Sequence, residues 1–299
     1  MSQLLYYLLL KPLSYLPLGM LYFVSDFLYL ILYRLIKYRQ KIVNLNLKNS
    51  FPTKSDREIN EIEQLFYHHF CDIMIESVKL FSIGNKELNM RNKILNPEVL
   101  NELFDKGKSV IVCAGHYNNW EMGGTTCCTQ IKHHVVGIYA PLSNSFFNQK
   151  FLQSRGKFGL ELLSKKVVKE GFEKNKNLPS VYLFATDQSP THSKTVHWTH
   201  FLNQPTAVLV GAERFAKEYD CPVVYIYVTK VKRGYYELEF KVLEAEPIKT
   251  LDGAITEKHT QWLEKQINET PQYWLWTHKR WKRKMTGEDE FYLDEKPNP

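Results

Sequence analysis

The chain has 299 residues, 44% of them hydrophobic and 14% aromatic, enough for one substantial core and too apolar for a disordered segment. A formal charge of +7 favours an anionic partner: nucleic acid, an anionic membrane face, a phosphorylated substrate or an acidic protein. The five cysteines (Cys71, Cys113, Cys127, Cys128, Cys221) contain no CxxC pair and form a poor disulfide framework, so a reducing compartment is expected.

Residues 1 to about 36 are rich in Leu and Tyr, and between Lys11 and Arg34 the only charge is Asp26. A helix from Leu13 to Ile36 would run roughly 36 Å at about 1.5 Å per residue, enough to cross a bilayer. Arg34, Lys37, Arg39 and Lys41 follow, which puts the downstream chain on the cytoplasmic side if the segment inserts. Asp26, Pro12 and Pro17 equally allow a helix lying in the interface. No basic n-region or small-residue cleavage site marks a signal peptide. The expected organisation is a membrane anchor with a basic flank over 1–41 and a single domain over 42–299.

Residues 42–82 read as helical, with Ser55-Asp-Arg-Glu58 as a capping box and Ile59, Ile62, Leu65, Phe66, Phe70, Ile73 and Met74 at helical spacing. A short helix around Pro97–Lys106 leads into the continuous apolar run from Val110, a strand buried on both faces. That run breaks at Gly115-His116, and Asn118 or Asn119 caps a helix carrying Glu121 in its first turn. From there strands and helices alternate. Strands are expected at 134–140, 160–163 and 181–187, and helices at 143–156 and 165–176. A loop over 188–204 and a helix over 206–219 follow. A hairpin over 223–243, a helix over 256–269 and an aromatic, basic stretch over 273–284 complete the pattern, and the residues from Thr286 are expected to fray. This predicts an α/β fold: a largely parallel mixed sheet flanked by helices, with an antiparallel edge and the N-terminal hydrophobic helix outside it. In such sheets the ligand crevice lies outside the carboxyl ends of the strands, where His116 and Asp187 both fall.

Rival chemistries find little support. Gly107-Lys-Ser109 resembles the tail of a phosphate-binding loop, but it precedes its strand and lacks the earlier glycine, Glu102 standing in its place. Neither a G-x-S-x-G elbow nor an H-E-x-x-H motif is present, and His192, His197 and His200 are read as unrelated loop histidines, not zinc ligands. What remains is a base with no protein nucleophile, suited to activating a hydroxyl of the substrate itself. Glu121 folding back across the strand-to-helix turn would orient His116.

Gly115-His116-Tyr-Asn-Asn-Trp-Glu121 resembles the H-x4-D/E motif of glycerolipid acyltransferases. Arg155-Gly156-Lys-Phe-Gly159, Asp187-Gln188, Phe201-Leu-Asn-Gln-Pro-Thr206 and Gln272-Tyr-Trp-Leu-Trp-Thr-His278-Lys-Arg280 follow in the order found in the late (secondary) acyltransferases of lipid A biosynthesis. The F-P-E-G-T-R block of the glycerol-phosphate enzymes is replaced by Ala185-Thr-Asp-Gln188, which argues against glycerol-3-phosphate or lysophosphatidate as acceptor. The resemblance implies transfer of a fatty acyl chain from an acyl carrier protein thioester to a hydroxyl of a lipid A precursor, at the bacterial inner membrane with the active site facing the cytoplasm. It requires no metal or organic cofactor and no nucleic acid. His116 and Glu121 would be catalytic, and Arg155, Asp187, Gln188, Trp276, His278, Lys279 and Arg280 would bind substrate, with Asp187 orienting Arg155 and the 276–280 block holding the headgroup. Coenzyme A as donor, another acceptor such as an aminolipid, and a non-catalytic membrane-bound module are the alternatives.

Overall fold

In the computed structural model, which describes residues 1–190, 193, 195–286 and 289, seven strands form one sheet. They are β1 (Asn92–Ile94), β2 (Val110–Ala114), β3 (His134–Tyr139), β4 (Glu161–Ser164), β5 (Ser180–Ala185), and, after a separate hairpin of β6 (His197–Phe201) and β7 (Gln204–Val208), β8 (Val223–Lys232) and β9 (Tyr235–Glu244). Their order is β1-β9-β8-β2-β5-β3-β4. The run from β8 to β4 is parallel, and β9 turns back antiparallel on β8 with β1 along its outer side.

Strand β2 shows why the centre of the sheet reads as a continuous apolar run. Ile111 and Cys113 pack on one face with Phe215, Ile255, Leu263 and Ile267, while Val110 and Val112 pack on the other with Leu100 and Cys127. Burying each such valine or isoleucine contributes about 1.5–3 kcal/mol relative to exposure, so the strand whose end carries His116 is among the most firmly held parts of the molecule.

Several boundaries differ from expectation for identifiable reasons. The 42–82 helix is two, Gln40–Ser50 and Asp56–Lys79, separated where Ser55 caps the second with both reciprocal bonds of a capping box to Glu58. Residues 204–208, expected in a loop and a helix, form β7. Leu202 and Asn203 both adopt positive φ (51° and 61°) and close a two-residue hairpin, a turn disguised by a leucine at a position that favours Gly or Asn. The helix there begins only at Gly211. At the N-terminus, residues 2–14 form one helix and Leu18–Leu35 another, broken at Pro17, whose extended ψ of 143° cannot continue a helix. His192 and most of the tail beyond Thr286 lie outside the described residues.

Candidate active site

Because β2 and β5 run parallel with Ala114 opposite Ala185, both strands step off the sheet at the same level. Thr186 N–H donates to the Ala114 carbonyl (3.0 Å), carrying the ladder one residue further and setting His116 beside Asp187. The turn leaves little room: a Cβ on Gly115 would lie 2.6 Å from Leu263 Cδ1, on the helix Ala254–Glu269. Asn118 takes a positive φ of 52°, and the Asn119 side chain accepts from Met122 N–H (2.9 Å), capping the helix Trp120–Gln130.

Asp187 is bound on three sides. His116 N–H donates to its Oδ2 (2.7 Å), the indole Nε1–H of Trp274 donates to the same oxygen (2.8 Å), and His116 Nδ1 lies 2.6 Å from Oδ1. With a carboxylate on Nδ1, that nitrogen carries the proton and Nε2 is the free lone pair. The Gln188 amide donates to Nε2 (3.1 Å), and the Trp120 ring meets the imidazole edge-on at 5.2 Å between centroids. Burial opposes charge on His116, but the adjoining Asp187 carboxylate outweighs it, with a contribution from Glu121, and the imidazole titrates above its ordinary 6.5. Burial likewise disfavours ionised Asp187, yet His116 and the hydrogen bonds from His116 N–H and Trp274 hold its carboxyl far below the usual range.

The carboxylate five residues along has a different partner. Glu121 in the first turn of its helix takes a bidentate bond from Arg155 in the last turn of the helix Ser145–Gly156, Nε to Oε2 at 2.7 Å and Nη2 to Oε1 at 2.6 Å. Each charge complements the dipole of its own helix end.

Behind the turn, Glu76 of the helix Asp56–Lys79 is fully buried and accepts from Asn119 Nδ2 (2.6 Å), Tyr236 Oη (2.9 Å) and Tyr22 Oη (2.8 Å). The segment 273–275 zips along 116–118 through Asn118 N–H to the Tyr273 carbonyl (2.9 Å) and Leu275 N–H to the His116 carbonyl (3.1 Å).

A sequence profile of the bacterial lipid A biosynthesis acyltransferases matches residues 2–283. The chain belongs to that family. It is also similar to the lipid A biosynthesis lauroyltransferase of Escherichia coli (strain K12), 22% identical over 291 residues that cover 92% of this chain and 93% of that protein.

Within this acyltransferase the structure rearranges the expected partnerships. Glu121 was expected on His116 and Asp187 on Arg155; instead Asp187 holds His116 and Glu121 holds Arg155. The parallel register places Asp187 against the imidazole, and the capped helix carries Glu121 toward Arg155.

Of the 276–280 block expected to hold a headgroup, Trp276 and Arg280 are packed inside the protein. Trp276 is fully buried against Phe51 and Trp274, and Arg280 is only 2% exposed. Arg280 lines a cavity of about 10 Å³ with Asp187 and His259, far too small for a lipid. Burial lowers its guanidinium to about 10, with Asp187 acting the other way. His278 accepts Ser189 N–H (3.0 Å) and thereby pins the loop carrying Gln188; burial lowers its imidazole to about 4, so it is neutral there. Lys279 is the exposed cation of the set. His197, weighed as a loop histidine, pairs with Glu257 at 2.9 Å. Trp274 and Glu76 escaped the sequence reading as site residues. Trp274 stands inside the aromatic block, whereas Glu76 shows no signal beyond a carboxylate on a helical stripe.

Proposed function

We propose that the protein transfers a fatty acyl chain from an acyl carrier protein thioester to a hydroxyl of a lipid A precursor, with His116 as general base and Asp187 as the residue that orients it. The observation that carries this reading is the His116–Asp187 pair, which leaves Nε2 as a basic atom at the rim. The acceptor hydroxyl replaces the Gln188 amide at Nε2 and gives up its proton there as its oxygen attacks the thioester carbonyl. The tetrahedral intermediate collapses with cleavage of the C–S bond, and the departing sulfur takes the proton back from His116. Asp187 stabilises the imidazolium between those steps without itself taking the proton. Gln188, released from Nε2, stays within reach as a hydrogen-bond donor.

The partly buried Arg155 fork, held by Glu121, suits a phosphate or the developing oxyanion. The net charge of +7 suits both an acidic carrier protein and a phosphorylated acceptor. One helix among the described residues, Leu18–Leu35, is long and apolar enough to cross a membrane by length and composition, which fits an enzyme at the inner membrane with its site toward the cytoplasm. The test is reconstitution: full-length protein in lipid vesicles, acyl carrier protein thioester and lipid A precursor, with products read by mass spectrometry. Transfer abolished in His116→Ala is the expected result. Near-normal transfer by that variant removes the base, and transfer to a different lipid alone removes the acceptor.

A further inference from the structure

The helix Leu18–Leu35 has two unlike faces. Leu18, Leu21, Ser25, Tyr29 and Tyr33 recur every three or four residues and are buried. They run antiparallel along the helix Asp56–Lys79. Tyr22 Oη donates to Glu76 and Ser25 Oγ to Asp72 (2.8 Å each), Tyr29 stacks on His68 at 3.5 Å between centroids, and Tyr33 packs on Tyr67. From the flank of the same helix Asp26 pairs with Arg233 of the β8–β9 turn at 2.5 Å, and Arg233 also grips Asp72. The opposite face is Met20, Phe23, Phe27 and Leu30, each at least half exposed, and Leu4, Leu5, Leu8 and Leu9 of the preceding helix are exposed as well. Lys11 lies between the two stretches, and Arg34, Lys37, Arg39 and Lys41 close the second; all five are exposed.

A helix that crosses the hydrocarbon core has to face lipid or other membrane-embedded protein along its length. This one is bonded at its middle to two carboxylates and a guanidinium that belong to the α/β body. Standing it across a bilayer would either carry Asp72, Glu76 and Arg233 to the membrane interior or strip them of their partners, and ionised groups are strongly disfavoured there. An apolar outer face ending in cations instead matches a helix in the plane of an anionic leaflet, with its charges at headgroup level.

We propose that the N-terminal helices bind the surface of an anionic phospholipid leaflet edge-on and do not cross it. Met20, Phe23, Phe27 and Leu30 then enter the acyl boundary and the Arg34–Lys41 cluster meets the headgroups. The chain start consequently lies on the same side of the membrane as the catalytic rim. This rests on the membrane location given under Proposed function, and it is tested without reference to catalysis.

Two measurements decide it. Gln3→Cys and Lys106→Cys variants of the full-length chain, both at exposed positions, are treated with a membrane-impermeant maleimide in sealed vesicles of either orientation. Labelling of both sites from one face is expected; labelling of position 3 only from the face opposite position 106 overturns the proposal while leaving the membrane location intact. Purified protein is then titrated with phosphatidylglycerol-containing and pure phosphatidylcholine vesicles. Phe23→Glu combined with Phe27→Glu is expected to weaken binding at least tenfold with an unchanged circular dichroism spectrum, since both side chains point away from the body. Equal binding to the two lipid compositions removes the role of the basic cluster. Absence of binding to either removes the membrane location itself.

Discussion

Two charge pairs stand a few residues apart at the rim of one sheet and are built differently. In His116–Asp187 the carboxylate is only 3% exposed and receives three hydrogen bonds, so its charge is shared among the His116 imidazole, the His116 backbone N–H and the Trp274 indole. In Glu121–Arg155 the side chains are 17% and 24% exposed and sit at the ends of two separate helices. The first is fixed by strand register. The second is the more solvent-exposed of the two. The difference teaches that the histidine and the glutamate of the H-x4-E motif are each bonded to a different partner in this structure.

That division is most exposed to failure at His116. The His116→Ala variant is expected to lose about 10²–10⁴-fold in kcat, the usual contribution of a positioned general base, measured as initial acyl-transfer rate at saturating donor. In the wild type, kcat/KM is expected to rise with pH as His116 loses its proton, with an inflection above the unperturbed value of about 6.5.

Asp187→Asn is expected to cost about 10²-fold or more in kcat and to move the same inflection to lower pH, because the charge that raises His116 is gone. A stability effect goes with it. A carboxyl depressed in the native state stabilises the fold above its unfolded value of about 3.9 and loses that contribution as pH falls toward the native one. The gap between wild type and Asp187→Asn in chemical denaturation is therefore expected to be full near neutrality and to close progressively below about pH 4. An unmoved kinetic inflection would return the orienting role to Glu121.

Arg155→Lys keeps the charge and loses the planar fork. About a tenfold rise in KM for acceptor or donor is expected, with kcat and its pH inflection nearly unchanged; a collapse of kcat with the inflection displaced would make the two pairs one unit. The effect of Trp274→Phe falls on stability: the change removes a single N–H from Asp187 while keeping most of the ring contacts. A loss of about 1.5–3 kcal/mol in unfolding free energy is expected for a hydrogen bond to a charged group, read by urea denaturation.

Much of the scaffold is legible in the residues. The apolar run into Gly115-His116 and the Asn119 cap announce a buried strand, a sharp exit and a helix. The carboxyl-end rule brings Asp187 to the same rim. Pairing is not legible, because it depends on hydrogen bonds between strands that bring together residues 71 apart, and a one-residue change of register would give His116 another neighbour. The block from Trp274 to Arg280 misleads for a related reason. Aromatic and basic residues compose a lipid-facing surface and a clamp around a buried carboxylate equally well, and only burial tells Trp276 and Arg280 from Lys279. Leu202 hides its turn because its side chain gives no hint of a left-handed backbone.

Glu76 accepts at once from a phenol of the N-terminal helix, a phenol of β9 and the asparagine that caps the helix after His116. A ligand that favours the docked helix therefore favours the catalytic turn in its present shape, in proportion to its preference for that state. Linkage of this kind is reciprocal. If the helix docks on lipid as proposed, lipid that holds it in place would act as an effector of the acyl-transfer site, and substrate that tightens the site would strengthen the grip on lipid. A fragment cut free of its first 36 residues would lose Tyr22 from Glu76 and Ser25 from Asp72, and with them this communication between surface and chemistry.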